Sequence, residues 1–573
     1  MLVDPFQAQG RTTSGRGNSG EEIFTDRAKE LGIDFVHFNG MTGQKYYLET
    51  VGSGAALFDY DNDGDLDVLI VNGSVLAPGE TLADALFPPR GPRPARARLF
   101  RNDLVIKPDG TRTIHFTDVT DQCGIDAQGY GMGVALGDYN NDGWPDVYIT
   151  NFGHNQMWRN NGDGTFTNVT KQTGTDVLGW SVSAAFVDYD RDGWLDLFVG
   201  QYINFNFASR KKCYISGGAE DYCGPQGHEP LPNRLFHNRG DGTFEDVTEK
   251  SQIAREYNGA LGVVCADFNG DGWTDIYVTD DSRPNQLWVN KGNGTFENQA
   301  MLAGCALDSN GLALSGMGVD AGDFNNEGHE DILVGNLNME HAALYANDGK
   351  GQFDDVSIES GVQAATMSRT IFGSVFLDYD NDGWLDIFFA SGSVTTVQAL
   401  ARAGDPYPLG QRNLLLHNMG NGRFEDVSQQ AGAVFDLTEV SRGVAIGDID
   451  NDGGMDILVV NNNGPARLLI NNVGHKKHWV GLRMLGERIN RDMLGTRVSL
   501  FRPNGPTLWR RVQTDGSYAS ARDPRLLFGL GDSSEISKVR AYWVSGRVEE
   551  WTEIPVDRYT TLREGSGTKV SLK

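Results

Sequence analysis

No apolar stretch in this sequence reaches the eighteen or so residues that a membrane-spanning helix needs, so the chain is expected to be soluble, with no membrane span. It does not open with the apolar segment of a secretory signal either. Met-Leu-Val-Asp-Pro-Phe leads into a Gly-, Ser- and Thr-rich run ending at Gly20, and residues 1–20 are expected to form a flexible tail. Cysteine is scarce, and five in 573 residues are too few for a disulfide scaffold. Cys213 and Cys223 nevertheless bracket a Gly-rich loop whose closure suits a disulfide. Cys123, Cys265 and Cys305 lie among apolar neighbours and are expected to be core thiols. Basic residues are outnumbered, 49 Lys and Arg against 77 Asp and Glu, giving a net charge of −28 that argues against nucleic acid as a partner. Also missing are a nucleophile motif, a pair of catalytic carboxylates and the H-E-x-x-H zinc helix.

What the chain has in abundance is one nonamer, D-x-[D/N]-x-[D/E]-G-x-x-D, repeated seven times. A hard cation such as Ca²⁺ takes six to eight oxygens, and alternate side chains of a tight loop can supply them from positions one, three and five, with the carbonyl of position seven. Position nine adds a carboxylate. The expected ligands are Asp59, Asp61, Asp63, Asp65 and Asp67 in the first loop, then Asp138, Asn140, Asp142, Trp144 and Asp146, then Asp188, Asp190, Asp192, Trp194 and Asp196. The fourth and fifth sets are Asp267, Asn269, Asp271, Trp273 and Asp275, and Asp323, Asn325, Glu327, His329 and Asp331. The last two are Asp378, Asp380, Asp382, Trp384 and Asp386, and Asp448, Asp450, Asp452, Gly454 and Asp456. Position six is Gly in every loop, as a sharp turn with positive φ requires.

The EF-hand is the rival, but it needs Glu at position twelve and flanking helices. Position twelve here is Ile70, Ile149, Val199, Val278, Val334, Phe389 and Val459, each inside a β-rich run. Asx-rich turns without metal are the bland alternative, strongest for the fifth loop, where Glu327 replaces Asp. Positions one, three, five and nine hold 25 carboxylates, so the acidity of the chain is mostly ligand. About seven Ca²⁺ ions would return fourteen positive charges.

The repeats predict an all-β protein. Each loop follows a strand of small residues such as Gly131-Met-Gly-Val-Ala-Leu-Gly137 and precedes a β-branched or aromatic one. A third segment ends in Asn-x-Gly and a fourth begins Gly-x-Phe, which makes four strands per unit, the composition of a propeller blade. Fourth strands start at Phe116, Phe166, Phe244, Phe296, Phe353 and Phe424, and none follows the seventh unit. Residues 22–26 are expected to supply it, closing a seven-bladed propeller over residues 21–472 and removing an open edge.

With these motifs in view, the seven loops and their Asn-x-Gly-x-Gly-x-Phe strands resemble the FG-GAP/VCBS repeats of integrin α-chain propellers. The tail, with Asn490-Arg-Asp-Met-Leu-Gly-Thr-Arg-Val498, Asp515-Gly-Ser-Tyr-Ala-Ser520, Asp523-Pro-Arg-Leu-Leu-Phe-Gly-Leu-Gly531 and Val539-Arg-Ala-Tyr-Trp-Val-Ser-Gly546, resembles the ASPIC/UnbV domain of the cartilage acidic protein family. The resemblance implies a secreted or periplasmic calcium-binding propeller, and a small β-sandwich-like domain is expected over residues 473–573. Calcium sites and a disulfide point the same way, to a protein outside the reducing cytosol whose signal segment is not part of this sequence.

Units one, three and six carry insertions between their second and third strands, at 73–98, 201–233 and 391–412, on the face opposite the acidic loops. Insertions gathered on one face mark the binding side of a repeat protein. The candidate ligand face therefore includes Tyr130, His154, Trp180, Asp280, Asp281, Arg283, Glu340, His341, Arg369 and Arg442. The leading expectation is a monomer that recognises a protein or glycan there. The alternative is an enzyme, a hydrolase, lyase or cyclase acting on a small-molecule substrate at the channel mouth.

Overall fold

The computed structural model describes residues 21–89, 95–209, 211–214, 218–489 and 491–571. The expected tail at 1–20 lies outside these residues, as do Arg90 and Arg93 of the first insertion. Strands dominate, and none of the described helices is long and apolar enough to cross a membrane.

The nonamers sit between the first two strands, A and B, of seven four-stranded antiparallel units. Unit two is representative, with strands Tyr130–Gly137, Asp146–His154, Gln156–Asn160 and Phe166–Asn168. Position nine of every loop is the first residue of strand B, because its side chain ties the loop to the sheet. In unit two Asp146 accepts the Tyr139 N–H at 3.2 Å and the Asn160 N–H at 2.8 Å. The N-terminal strand Phe24–Asp26 completes unit seven by pairing antiparallel with Arg467–Asn471, Phe24 opposite Asn471.

The A strands pack side by side in chain order, and that of unit seven returns to that of unit one. Three sets of side-chain contacts hold the ring, the first of them running through all seven units. The Asn that ends strand C reaches back to the position-two carbonyl of the preceding loop, as from Asn160 to Tyr60 at 2.8 Å, and from Asn102 to Ile449 at 2.9 Å across the closure. Position-four Asn residues reach forward to the position-six carbonyl of the next loop, Asn62 to Gly143 at 2.9 Å and Asn451 to Gly64 at 3.2 Å. Position-two aromatics meet the strand-D Phe of the next unit, Tyr60 with Phe166 and Tyr379 with Phe24. The cores accordingly lie between units: Phe58, Leu69 and Leu99 of unit one pack with Val134, Leu136 and Trp158 of unit two. Each such side chain contributes roughly 1.5–3 kcal/mol through burial. The position-seven tryptophans pack instead within their own units. Trp144 covers Gly162 of its own Asn-x-Gly turn so closely that a Cβ there would lie 2.8 Å from the indole.

After Asn471 the chain enters a second β region. A three-stranded sheet (Leu526–Gly531, His478–Leu485, Tyr559–Arg563) faces a five-stranded one (Leu508–Arg511, Arg497–Phe501, Lys538–Tyr542, Val548–Trp551, Thr568–Lys569). Val480, Leu482, Phe528, Val498, Leu500 and Val539 share the core between them. Between these sheets' strands the segment 514–523 leaves the domain and enters the propeller channel. Ser517 and Ala519 carbonyls accept from Val319 N–H (3.0 Å) and Val134 N–H (3.1 Å). Ser183 Oγ accepts the Ala519 N–H at 3.1 Å, Asp515 accepts the Cys265 N–H at 2.6 Å, and Ala521 pairs with Ala55. The Tyr518 ring meets Phe372 edge-on at 4.8 Å, and Asp523 N–H reaches the Ile446 carbonyl. The plug thus touches the innermost strand of all seven units. Small residues in the A strands let it in: a Cβ on Gly54 would lie 1.7 Å from the Ala519 carbonyl oxygen.

Candidate metal centres and the cavity beside them

Each acidic loop is wound by its own backbone. Position one accepts N–H groups from positions five and six, as Asp378 does from Asp382 and Gly383, both at 3.0 Å. Position five accepts from position seven, as Asp382 does from Trp384 at 2.8 Å. Gly383 has φ of 95°, and position four of all seven loops, Asn381 among them, also lies in the left-handed region. This winding turns the carboxylates of positions one, three, five and nine towards one point. Asp59, Asp61 and Asp67, Asp188, Asp190 and Asp192, and Asp378, Asp380 and Asp386 each present oxygens mutually within 4.8 Å.

The donor chemistry fits a hard divalent cation. Asp61 Oδ1, Asp188 Oδ1 and Asp380 Oδ1 are buried without a hydrogen-bond donor. Burial and crowding by neighbouring carboxylates push Asp138 and Asp188 up to about 6, Asp323 and Asp448 to about 7 and Asp275 to about 8. A cation among them would relieve both costs. The fifth loop keeps the same winding, Asp323 accepting from Glu327 and Gly328, although Glu327 replaces Asp. Two histidines absent from the expected ligand sets join these centres. His237 Nδ1 lies 3.2 Å from both Asp190 and Asp196, and His417 Nδ1 lies 3.1 Å from Asp386. Each directly precedes the latch Asn of strand C, which was the signal for it.

The face opposite the loops is organised differently from expectation. The three insertions do lie between strands B and C, and Cys213 and Cys223 are disulfide-bonded within the second. Cys123, Cys265 and Cys305 are buried free thiols. Yet the channel mouth is not open, because the N-terminal segment 36–52 fills it and the insertions clamp that segment. Tyr222 of the second insertion donates to Glu49 at 3.0 Å, and Tyr407 of the third accepts from Asn39 and Asn462. Of the candidate ligand-face residues, Tyr130, Trp180, Asp280, Asp281, His341 and Arg442 are buried. Tyr130 donates to the Asn39 carbonyl, Tyr47 and Tyr202 donate to Asp281, and Arg442 donates to the carbonyls of Thr50, Gly392, Ser393 and Ser441. These groups serve the fold. Glu340 accepts from Ser315 and Arg369 donates to the Arg412 carbonyl, leaving His154, whose Nδ1 lies 3.0 Å from Asp176, and Arg283 exposed.

The open space lies on the loop face, against the C-terminal domain. That domain presents a row of arginines to the acidic loops: Arg483 stands 3.9 Å from Asp59, Arg510 3.7 Å from Asp378, and Arg525 donates to Asn451 at 2.8 Å. Tyr559 donates to Asp448 at 3.0 Å. Beneath this contact is a cavity of about 490 Å³ walled by units one, two, three and seven on one side and by Trp479, Arg483, Arg491, Pro524, Arg525 and Tyr559 on the other.

Comparison with known proteins agrees with this architecture. FG-GAP-like repeats match at 138–199, 220–278, 267–334, 323–389 and 403–459, together more than half of the chain, and an ASPIC and UnbV domain matches at 486–569. The chain belongs to the FG-GAP-like repeat family. Cartilage acidic protein 1 of Homo sapiens is 27% identical to this FG-GAP protein over 356 residues, 60% of this chain and 49% of the relative. The Xenopus tropicalis protein of the same name is 25% identical over 348 residues, 60% and 50% of the two chains. The chain spans about half the length of the curated relatives it matches. Among solved structures, an Agrocybe aegerita lectin that recognises non-reducing terminal N-acetylglucosamine aligns over 61% of this chain and 84% of its own, at 17% identity and a TM-score of 0.34. Rhamnogalacturonan lyase YesW aligns over 74% and 72%, at 12% identity and 0.34. Neither likeness carries a ligand or an activity over to this chain.

Proposed function

We propose that this FG-GAP protein is a calcium-stabilised binding protein of an extracytoplasmic compartment, in which a propeller over residues 21–472 and a β-domain over 473–573 form a small-molecule site between them. The observation that carries it is the winding of the nonamers, which in the first, third and sixth gathers carboxylate oxygens, some of them buried without a donor. Calcium at the expected ligands supplies the missing charge and stiffens the face on which the C-terminal domain rests. The Cys213–Cys223 disulfide supports an oxidising location. With much of the opposite channel mouth buried, we place the working site in the cavity on the loop face, which is also where an enzymatic alternative would have to act.

The test is calcium counted by elemental analysis together with calorimetric unfolding. About seven ions per chain are expected, with chelation lowering the melting temperature by on the order of 10 °C or more, since each site held at a thousandfold its Kd contributes about 4 kcal/mol. A chain that melts identically with and without chelator, or that binds no calcium, overturns the proposal.

A further inference from the structure

We infer that the cavity beneath the C-terminal domain takes a small amphipathic anion, an apolar body bearing one carboxylate, with Arg491 as its anchor. The inference rests on the reading of this cavity as the ligand site. Its volume of about 490 Å³ falls within the range of small-molecule pockets. Phe58, Leu136, Leu195, Trp479, Leu494 and Tyr559 give it apolar walls suited to a hydrocarbon or aryl body rather than a sugar.

The charges select the head. Three carboxylates in the wall are already engaged: Asp492 accepts two bonds from Arg483 at 3.1 Å, Asp523 accepts from Arg525 at 2.8 Å, and Asp557 accepts from the Trp479 N–H at 3.1 Å and lies 2.8 Å from His478 Nδ1. Asp59 and Asp138 accept N–H groups of their own loops. Arg491 is different. It lines the cavity, is 3% exposed, and its Nε and Nη1 donate to nothing among the described residues. The carboxylates of Asp188 and Asp138 act on its charge but leave these two N–H groups without an acceptor, which is costly in a buried guanidinium, and a carboxylate matches its paired N–H groups in a bidentate arrangement. Arg558 stands exposed at the rim, where it can draw an anion in.

The test titrates 2-naphthoate and its neutral counterpart, 2-naphthalenemethanol, into calcium-replete full-length protein by calorimetry. Naphthoate is expected to saturate one site at least tenfold more tightly than the alcohol. Arg491→Met is expected to weaken naphthoate tenfold or more and leave the alcohol unchanged. Thr561→Trp, which fills the cavity from an exposed position, is expected to block both. It carries the test by itself if the first variant does not fold. Acid and alcohol bound equally, both blocked by Thr561→Trp, overturn the anion class and leave the cavity as the site. Naphthoate binding that Thr561→Trp leaves untouched lies elsewhere and overturns the site itself. Ions counted in the same samples judge the calcium reading separately, because selective, Arg491-dependent binding at a low ion count would still uphold the anion site.

Discussion

The two ends of the channel are closed by opposite chemistry. On the loop face an arginine-rich domain leans on acidic loops, and the segment that enters the channel comes from late in the chain. On the other face residues 36–52 are held by buried hydrogen bonds and aromatic contacts, among them Asn462 to the Glu49 carbonyl at 2.7 Å and Tyr47 edge-on to Trp180 at 6.2 Å. One closure is governed by charge and the other by burial. Agents that act on charge, such as chelators, salt and metal, should therefore address the first and spare the second.

The largest effect expected is that of chelation, and hydrogen exchange sharpens it. Without calcium, amides of the nonamers and of the plug at 514–521 should lose protection, while the 36–52 segment keeps its own. Uniform loss over both ends would break the comparison. Next in size is Tyr518→Ala, where the two closures meet in the channel. Its ring is fully buried against Phe372 and its hydroxyl donates to the Val51 carbonyl at 3.2 Å, so roughly 3–5 kcal/mol should be lost in denaturant unfolding of the calcium-replete protein.

The legible part of this molecule was its periodicity. Seven nonamers, a strand-D Phe after six of them and a spare strand at residues 22–26 were enough to draw the units and close the last one. Contacts between parts far apart in sequence were not legible. Asp515-Gly-Ser-Tyr-Ala-Ser520 was visible as a motif, but that it plugs the channel depends on Gly54 and its neighbours making room 460 residues earlier. Polar residues at the starts of the A strands, such as Arg442, read as part of an exposed ligand face because polarity ordinarily means exposure. Here the guanidinium is satisfied by backbone carbonyls freed by irregular loops, a pairing that no local pattern announces. The position-four and strand-C Asn residues recur openly in the sequence, yet their partners lie in neighbouring units.

A pH experiment separates the ends further. Glu49 is buried in the stopper and burial raises its carboxyl to about 7, the bond from Tyr222 only partly opposing this. A carboxyl raised in the folded state binds its proton more tightly there than in the unfolded chain. Its contribution is complete below the unfolded value near 4.5 and is lost as pH rises through about 7. Relative to Glu49→Gln, the native protein should therefore lose roughly 3 kcal/mol between pH 4.5 and 8 with calcium saturating, measured by urea unfolding. His37, held neutral in the same region by burial, runs the other way and is common to both proteins, so it cancels in the difference. An unchanged difference across this range would show that Glu49 meets water and that the stopper is looser than its packing implies.

The smallest effect tests whether the ring itself is indifferent to which end is perturbed. Asn160 donates to the Tyr60 and Pro145 carbonyls, and its backbone and side chain also meet Asp146 and Gly162, so one residue ties two units and a turn. Asn102 makes the equivalent bond to Ile449 across the closure between units one and seven. Asn→Ala at either site strands one buried carbonyl of the neighbouring unit and should cost about 1–2 kcal/mol. If the circle is uniform, the two losses will agree within about 0.5 kcal/mol in the calcium-replete protein and add in the double variant, the sites being far enough apart for independence. A markedly larger loss at Asn102 would mean that the closure is the weak seam. In that case Phe24–Asp26, which holds unit seven together from the far end of the chain, would be a main determinant of the ring's stability.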